Sequence, residues 1–188
     1  MKTILVSGSS SGIGLAICEE AKKMGHSVIG ISRNVNSQAT ELGIRSYSVD
    51  VTNQDQINEL VNNLTSENIT IDILINNAGL LIKDRFRDTT DDTFKKIYDV
   101  NVFGLANLTR ALLPIINNDG QVINISSIGG LNNSKKFPGL SAYASSKGAL
   151  ITLTEVLAEE YRSRPRFNCL ALGSVKTKML AEAFPAYE

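Results

Sequence analysis

Three groups of side chains have types and spacings that could do chemistry. Tyr143-Ala144-Ser145-Ser146-Lys147 sets a phenol and an ammonium four residues apart. On a helix, residues i and i+4 share a face, so the two groups project together. A phenol with the ordinary pKa of about 10 is a poor base at neutral pH. A cation alongside favours the phenolate and would make Tyr143 a workable proton donor and acceptor. Helix surfaces also produce such pairs by chance, so this one is weak evidence alone. The second group is Ser7-Gly8-Ser9-Ser10-Ser11-Gly12-Ile13-Gly14. Gly8 would permit a tight turn, Gly12 would let backbone approach a phosphate, and Gly14 would allow close helix packing; Ser10, Ser11 and Ile13 complete the candidate cradle. The spacing is G-x-x-x-G-x-G with no Lys-Ser/Thr after it, which excludes a nucleoside-triphosphate P-loop. A flexible Gly/Ser turn is the plainer alternative. Third, Ser32-Arg33 occupies the place where dinucleotide folds often carry an acid for the ribose hydroxyls. An acid would repel a 2′-phosphate, whereas Arg33 can pair with one through its planar fork. This favours NADP(H) over NAD(H), although NAD(H) stays possible and a solvated surface arginine has the same look.

The elements that must position these groups follow from hydrophobic periodicity. Lys2 to Val6 reads as a buried strand and Gly12 to Met24 as a helix ended by Gly25. Further strands are predicted over 27–32, 45–49, 71–75, 121–125 and 167–171. Asn53 is placed to cap a helix through Leu64, with Ile57, Leu60, Val61 and Leu64 on one face. Long helices are predicted from Asp91 to Leu113, stopped by Pro114, and from Ser141 to Arg162; a short one covers 177–184. Apolar strands alternating with helices of this length imply right-handed crossovers and a parallel sheet covered on both faces. The glycine run then lies between the first strand and the first helix, which makes phosphate binding the better reading. The stretch 128–140 is the one long irregular segment, and such loops are usually functional or mobile.

Composition bounds the function class. The 188 residues are 43% hydrophobic and 20% charged, which is ordinary for one globular domain. Nineteen basic and nineteen acidic residues balance, so no net field draws the chain to nucleic acid or an anionic membrane. Cys18 and Cys169 are too few for a disulfide framework and lack metal-ligand spacing. The single His26 argues against most zinc sites and against a Ser-His-Asp hydrolase. No apolar run could span a bilayer or serve as a signal peptide, and a cytoplasmic location is expected.

The chain also shows Asn76-Asn77-Ala78-Gly79 after the fourth strand, Asn101 within a long helix and Ser126-Ser127 after the fifth strand. With these it resembles the short-chain dehydrogenase/reductase family, in the branch with the T/S-G-x-x-x-G-x-G loop. The match runs from the first strand through Thr177. The resemblance implies a doubly wound parallel sheet, a Rossmann fold of strand order 3-2-1-4-5-6, interconverting a small carbonyl and a secondary alcohol. Tyr143 would be the acid/base, Ser127 would bond the carbonyl oxygen, Lys147 would bind the nicotinamide ribose and lower the tyrosine pKa, and Asn101 would hold a relay water. Asp50 and Val51 would meet the adenine, Asn77, Ala78 and Gly79 would lie along the cofactor, and Gly173, Val175 and Thr177 would reach the nicotinamide. Asn76 could be purely structural, tying its strand to its neighbours. The two long helices are where such proteins pair into dimers or tetramers.

Three features depart from the family pattern. Ser127 and Tyr143 lie 16 residues apart, a few more than usual, and the surplus falls in Asn132-Asn133-Ser134-Lys135-Lys136. Lys135 and Lys136 could attract an anionic substrate, though a solvated loop is the plainer reading. Leu172-Gly173 stands where Pro-Gly is customary. The chain also ends where relatives continue into a cover segment, a helix and a seventh strand, so it reads as a single domain that is C-terminally incomplete. The rival reading is a non-catalytic dinucleotide sensor or interaction module of the same fold, but such proteins usually lose the tyrosine or lysine kept here.

Overall fold

The computed structural model describes residues 1–35, 39, 41–162 and 164–185. Among the described residues, six strands form one sheet: β1 Thr3–Ser7, β2 Ser27–Ser32, β3 Arg45–Ser48, β4 Ile71–Asn76, β5 Ile116–Ser127 and β6 Arg166–Leu172. Their order is β3-β2-β1-β4-β5-β6 and every neighbouring pair is parallel, as the alternation of strands and helices predicts. The helices are α1 Gly12–Lys23, α2 Gln54–Ser66, α3 Asp91–Tyr98, α4 Leu105–Leu112, α5 Ser141–Tyr161 and α6 Lys178–Ala183. None of the helices among the described residues is long and apolar enough to cross a membrane.

Alternate side chains of β1 enter opposite layers, because successive residues of a strand point to opposite faces. Leu5 packs with Ile29, Leu74 and Val122 against Ile57, Leu60 and Leu64 of α2 and Leu108 and Leu112 of α4. Ile4 and Val6 pack with Val28, Ile75 and Ile125 against Cys18 and Ala21 of α1. Asn53 caps α2 as its position suggests, its Oδ1 accepting from the N–H groups of Asp55 at 3.0 Å and Gln56 at 3.2 Å.

Two elements differ from the sequence expectation. β5 begins at Ile116 rather than Gln121, because Ile116 pairs with Ile71 before the register shifts near Ile73. In the added segment, Asn117 Nδ2 donates to Asp72 Oδ1 at 2.8 Å and holds the irregular stretch to β4. The long helix from Asp91 is also not continuous. A π-helical stretch, Asp99–Gly104, separates α3 from α4, and Pro114 sits in a 3-10 turn that ends the array.

Candidate active site

The carboxyl ends of the strands open onto a cleft of about 1330 Å³. In an open parallel sheet, this crevice beside the point where strand order reverses is the ligand position. Here β1 and β4 flank that point. The loop after β1 enters the cleft through Gly8, at φ 69°. Helix α1 then crosses so near this loop that a Cβ on Gly14 would lie 2.2 Å from Gly8 O and 2.5 Å from Asn77 Nδ2. Only glycine permits that approach. Ser11, at the N-cap of α1, makes no side-chain cap, and no acidic residue lies in the first turn. The backbone N–H groups of that turn are thus left to an anion, which fits a dinucleotide pyrophosphate. Ser10, Ser11, Gly12 and Ile13 all line the cleft, as do Asp50, Val51, Ala78, Gly79, Gly173, Val175 and Thr177.

Several of these residues also do structural work that the motifs do not advertise. Asn77 Nδ2 donates to Ser7 O at 3.1 Å and Gly8 O at 3.2 Å, clamping the glycine loop to the end of β4. The Ser7 hydroxyl accepts from the N–H groups of Asn77 at 3.0 Å and Ala78 at 3.1 Å. Asp50 Oδ1 accepts from Thr52 N–H and Oγ1. Thr177 caps α6, its Oγ1 accepting from Leu180 N–H at 3.3 Å. Asn76 is structural, as its position allows: it is fully buried, and Nδ2 donates to Thr109 Oγ1 and Asn124 Oδ1, both at 2.8 Å. Arg33 lies exposed at the cleft rim after β2, its backbone carbonyl held by the Ser48 hydroxyl at 2.9 Å. No ion pair among the described residues involves its guanidinium.

At the other end of the cleft, Ser127, Tyr143 and Lys147 come together where β5 meets α5. Close packing of the turn Ile128–Gly130 on α5 sets their separation. A Cβ on Gly130 would stand 2.6 Å from Gly148 N and 2.7 Å from Lys147 C. The Ser126 hydroxyl adds a bond to Lys147 O at 2.8 Å, tying strand to helix. The Ser127 hydroxyl acts on the Tyr143 phenol in the sense that favours its phenolate, and the Lys147 ammonium lies 5.8 Å from the tyrosine ring centroid. Lys147 is only 4% exposed and donates to Ile125 O at 2.8 Å. Burial pulls its pKa down to about 8.

The electrostatics correct one sequence expectation. The Tyr143 pKa is raised, not lowered: burial dominates, and the Ser127 hydroxyl only partly opposes it. Lys147 is turned to a backbone carbonyl and its charge is itself disfavoured by burial, so it does not offset the phenol's desolvation.

Asn101 lies fully buried in the π-helical stretch. Its Oδ1 accepts from Leu80 N–H at 2.7 Å, while Nδ2 donates to Leu80 O and Ser146 Oγ, both at 3.0 Å. An ideal Cβ on Gly79 would be 3.6 Å from both Asn101 Oδ1 and Lys147 Nζ, so the three are close neighbours. Ser146 and the carbonyl of Ile125 are site partners that sequence reasoning misses. A serine inside a helix carries no signal of its own, and a backbone carbonyl carries none at all. Lys136 is not simply solvated either, since its ammonium turns back onto carbonyls of its own loop.

The sequence profile of the family described as short chain dehydrogenase matches residues 2–188. The chain is 35% identical over 188 residues to oxidoreductase UcpA of Salmonella typhimurium, covering 95% of this chain and 71% of that protein. It is 32% identical over 189 residues to the 3-oxoacyl-acyl-carrier-protein reductase FabG of Thermotoga maritima, covering 95% and 76%. Among solved structures, a short chain dehydrogenase from Shigella flexneri complexed with NADP superposes with a TM-score of 0.92 at 28% identity, covering all of this chain and 83% of that one. A 4-hydroxyisoleucine dehydrogenase complexed with NADH gives 0.84 at 32% identity, covering 97% and 79%. With the profile spanning nearly every residue and the glycine loop, serine, tyrosine and lysine facing one cleft, the chain belongs to the short-chain dehydrogenase/reductase family, enzymes of NAD(P)(H)-dependent oxidoreduction.

Proposed function

We propose that this enzyme interconverts a small carbonyl compound and its secondary alcohol, with NADP(H) as the preferred cofactor. The observation that carries the reading is the convergence of Ser127, Tyr143 and Lys147 on the cleft that also holds the uncapped α1 N-terminus. The α1 amides and the backbone of Gly8 to Gly12 would hold the pyrophosphate, Asp50 and Val51 the adenine, and Thr177 the nicotinamide amide. When bound, the nicotinamide supplies or accepts the hydride. Ser127 donates a hydrogen bond to the carbonyl oxygen and fixes it near Tyr143. Tyr143 gives that oxygen its proton in reduction and takes it back in oxidation. The raised Tyr143 pKa keeps the phenol protonated at neutral pH, which favours the donor role. Lys147 would turn from Ile125 O to the ribose hydroxyls, and its charge would then help the phenolate. Asn101 Oδ1 keeps a lone pair for a water linking Lys147 to solvent.

The test is NADPH oxidation over a panel of aliphatic and aromatic ketones and aldehydes. Tyr143→Phe is expected to lower kcat by about 100-fold or more while leaving NADPH affinity near wild type. Equal rates in the two proteins overturn the mechanism. Preference for NADP(H) rests separately on the exposed Arg33 fork. NADPH should bind more tightly than NADH, and Arg33→Ala should remove about 1–2 kcal/mol of that difference; unchanged preference by fluorescence titration rejects it. We also propose a homo-oligomer through the two helical arrays, where Phe103 and Val156 are each 55% exposed.

A further inference from the structure

The loop that lengthens the spacing between Ser127 and Tyr143 is folded by its own side chains. Asn133 takes a φ of 60°, a left-handed conformation that asparagine tolerates better than most residues. The reversal returns Ser134 and Lys136 to the turn Ile128–Gly130. Lys136 Nζ donates to Gly129 O at 2.7 Å, Leu131 O at 2.5 Å and Ser134 Oγ at 3.0 Å, which commits all three of its hydrogens. The Ser134 hydroxyl is 3.0 Å from Leu131 O and makes a shorter contact with Ile128 O. The shorter contact takes the single Ser134 proton, which is therefore directed to Ile128 O.

The peptide group joining Ile128 to Gly129 is therefore held at both ends. Its carbonyl accepts from Ser134 and from Leu131 N–H at 3.0 Å. Its N–H donates to Ser127 Oγ at 3.2 Å. That N–H occupies one lone pair of Ser127 and leaves the hydroxyl proton to point at the cleft. Every link donates in the same sense, from the ammonium towards Ser127. A donor whose acceptor side is already engaged becomes a stronger donor, so such a line is polarised along its length.

We propose that Ser134 and Lys136 are positioning residues: the line from Lys136 through Ser134 and the Ile128–Gly129 peptide aims and polarises the Ser127 hydroxyl towards the reacting oxygen, an inference that rests on the Ser127–Tyr143 mechanism above. Both residues come from the stretch Asn132 to Lys136, so the extra loop length acquires a task. Lys136 serves by turning inward rather than by reaching for an anionic substrate.

The experiment measures kcat and both KM values with NADPH and the ketone and aldehyde panel. Ser134→Ala, Ser134→Thr and Lys136→Met are made in the wild type and in a Ser127→Ala background, with NADPH affinity followed by fluorescence. Ser134→Ala and Lys136→Met should each lower kcat about tenfold, the scale of one lost hydrogen bond. KM for NADPH and its affinity should not change, and Ser134→Thr should restore kcat. In the Ser127→Ala background neither substitution should cost anything further, because the line then has no end point. Wild-type kcat in Ser134→Ala, losses that add to that of Ser127→Ala, or NADPH affinity falling together with kcat would each overturn the proposal. Absence of turnover in the wild type, or a Tyr143→Phe variant as fast as wild type, refutes the underlying mechanism instead. Strong dependence on Tyr143 with no dependence on Ser134 removes the positioning role alone.

Discussion

Lys147 shows the conflict between stability and chemistry within a single side chain. Its ammonium is buried at 4% exposure with one hydrogen bond, to Ile125 O, and desolvation pulls its pKa from 10.5 to about 8. Between those two values the unfolded chain holds more protons than the folded one, so stability rises with pH across that window. Below pH 8 the burial penalty is fully present, on the order of 3 kcal/mol for a shift of this size. Lys147→Met removes the charge at the cost of the Ile125 bond, about 1 kcal/mol. Urea denaturation of the ligand-free variant at pH 7 is therefore expected to show a gain of about 2 kcal/mol over wild type, vanishing near pH 10 and giving way above it to a loss of about 1 kcal/mol from the missing bond. The same variant should lose turnover. A variant less stable than wild type at pH 7 would mean that burial of this ammonium is not costly. Burial biases Tyr143 in the same way, raising its pKa and keeping the phenol neutral.

The elements around the cleft are positioned by close backbone approach rather than by side-chain bulk. Helix α1 can point its uncapped end at the cleft only because Gly14 lies against Gly8 O and Asn77. Gly14→Ala forces the helix or the loop to move, and overpacking of this kind costs about 1–3 kcal/mol. The melting temperature should fall by several degrees, and NADPH affinity should fall with it, because the phosphate cradle and the helix move together. A calorimetric scan with and without NADPH checks both effects. The π-helical stretch Asp99–Gly104 makes a comparable adjustment on the other side of the sheet. Its altered winding goes with an inward Asn101 that serves both the N–H and the C=O of Leu80, a pair of groups that would be costly to bury unpaired. Hydrophobic periodicity cannot report such a stretch, since apolar residues on both sides keep nearly the spacing of one continuous helix.

At the scale of the whole molecule, the exposed Phe103 and Val156 on the helical arrays argue for self-association. Light scattering coupled to gel filtration should give the mass of a dimer or tetramer, and Phe103→Glu should shift it towards the monomer. A monomeric mass for the wild type at micromolar concentration rejects this. The overall architecture was legible in the chain itself. Apolar strands such as Ile4-Leu5-Val6, separated by helix-length amphipathic stretches, permit few layouts other than a parallel sheet covered on both faces. The glycine run, Arg33 and the Tyr143–Lys147 pair could be named because each uses a residue type whose backbone or side-chain chemistry is local, whereas Ser127 came only with the family resemblance. What needed the tertiary structure was everything set by neighbours distant in sequence. The early start of β5 depends on pairing with Ile71, and Asn77 clamps a loop 70 residues away. The direction of the Tyr143 and Lys147 shifts also belongs here. Spacing alone put a cation beside a phenol and implied a lowered tyrosine pKa, but burial reverses that balance. Periodicity and motif residues are properties of the chain, whereas desolvation and hydrogen-bond partners exist only once segments far apart in sequence close over one another.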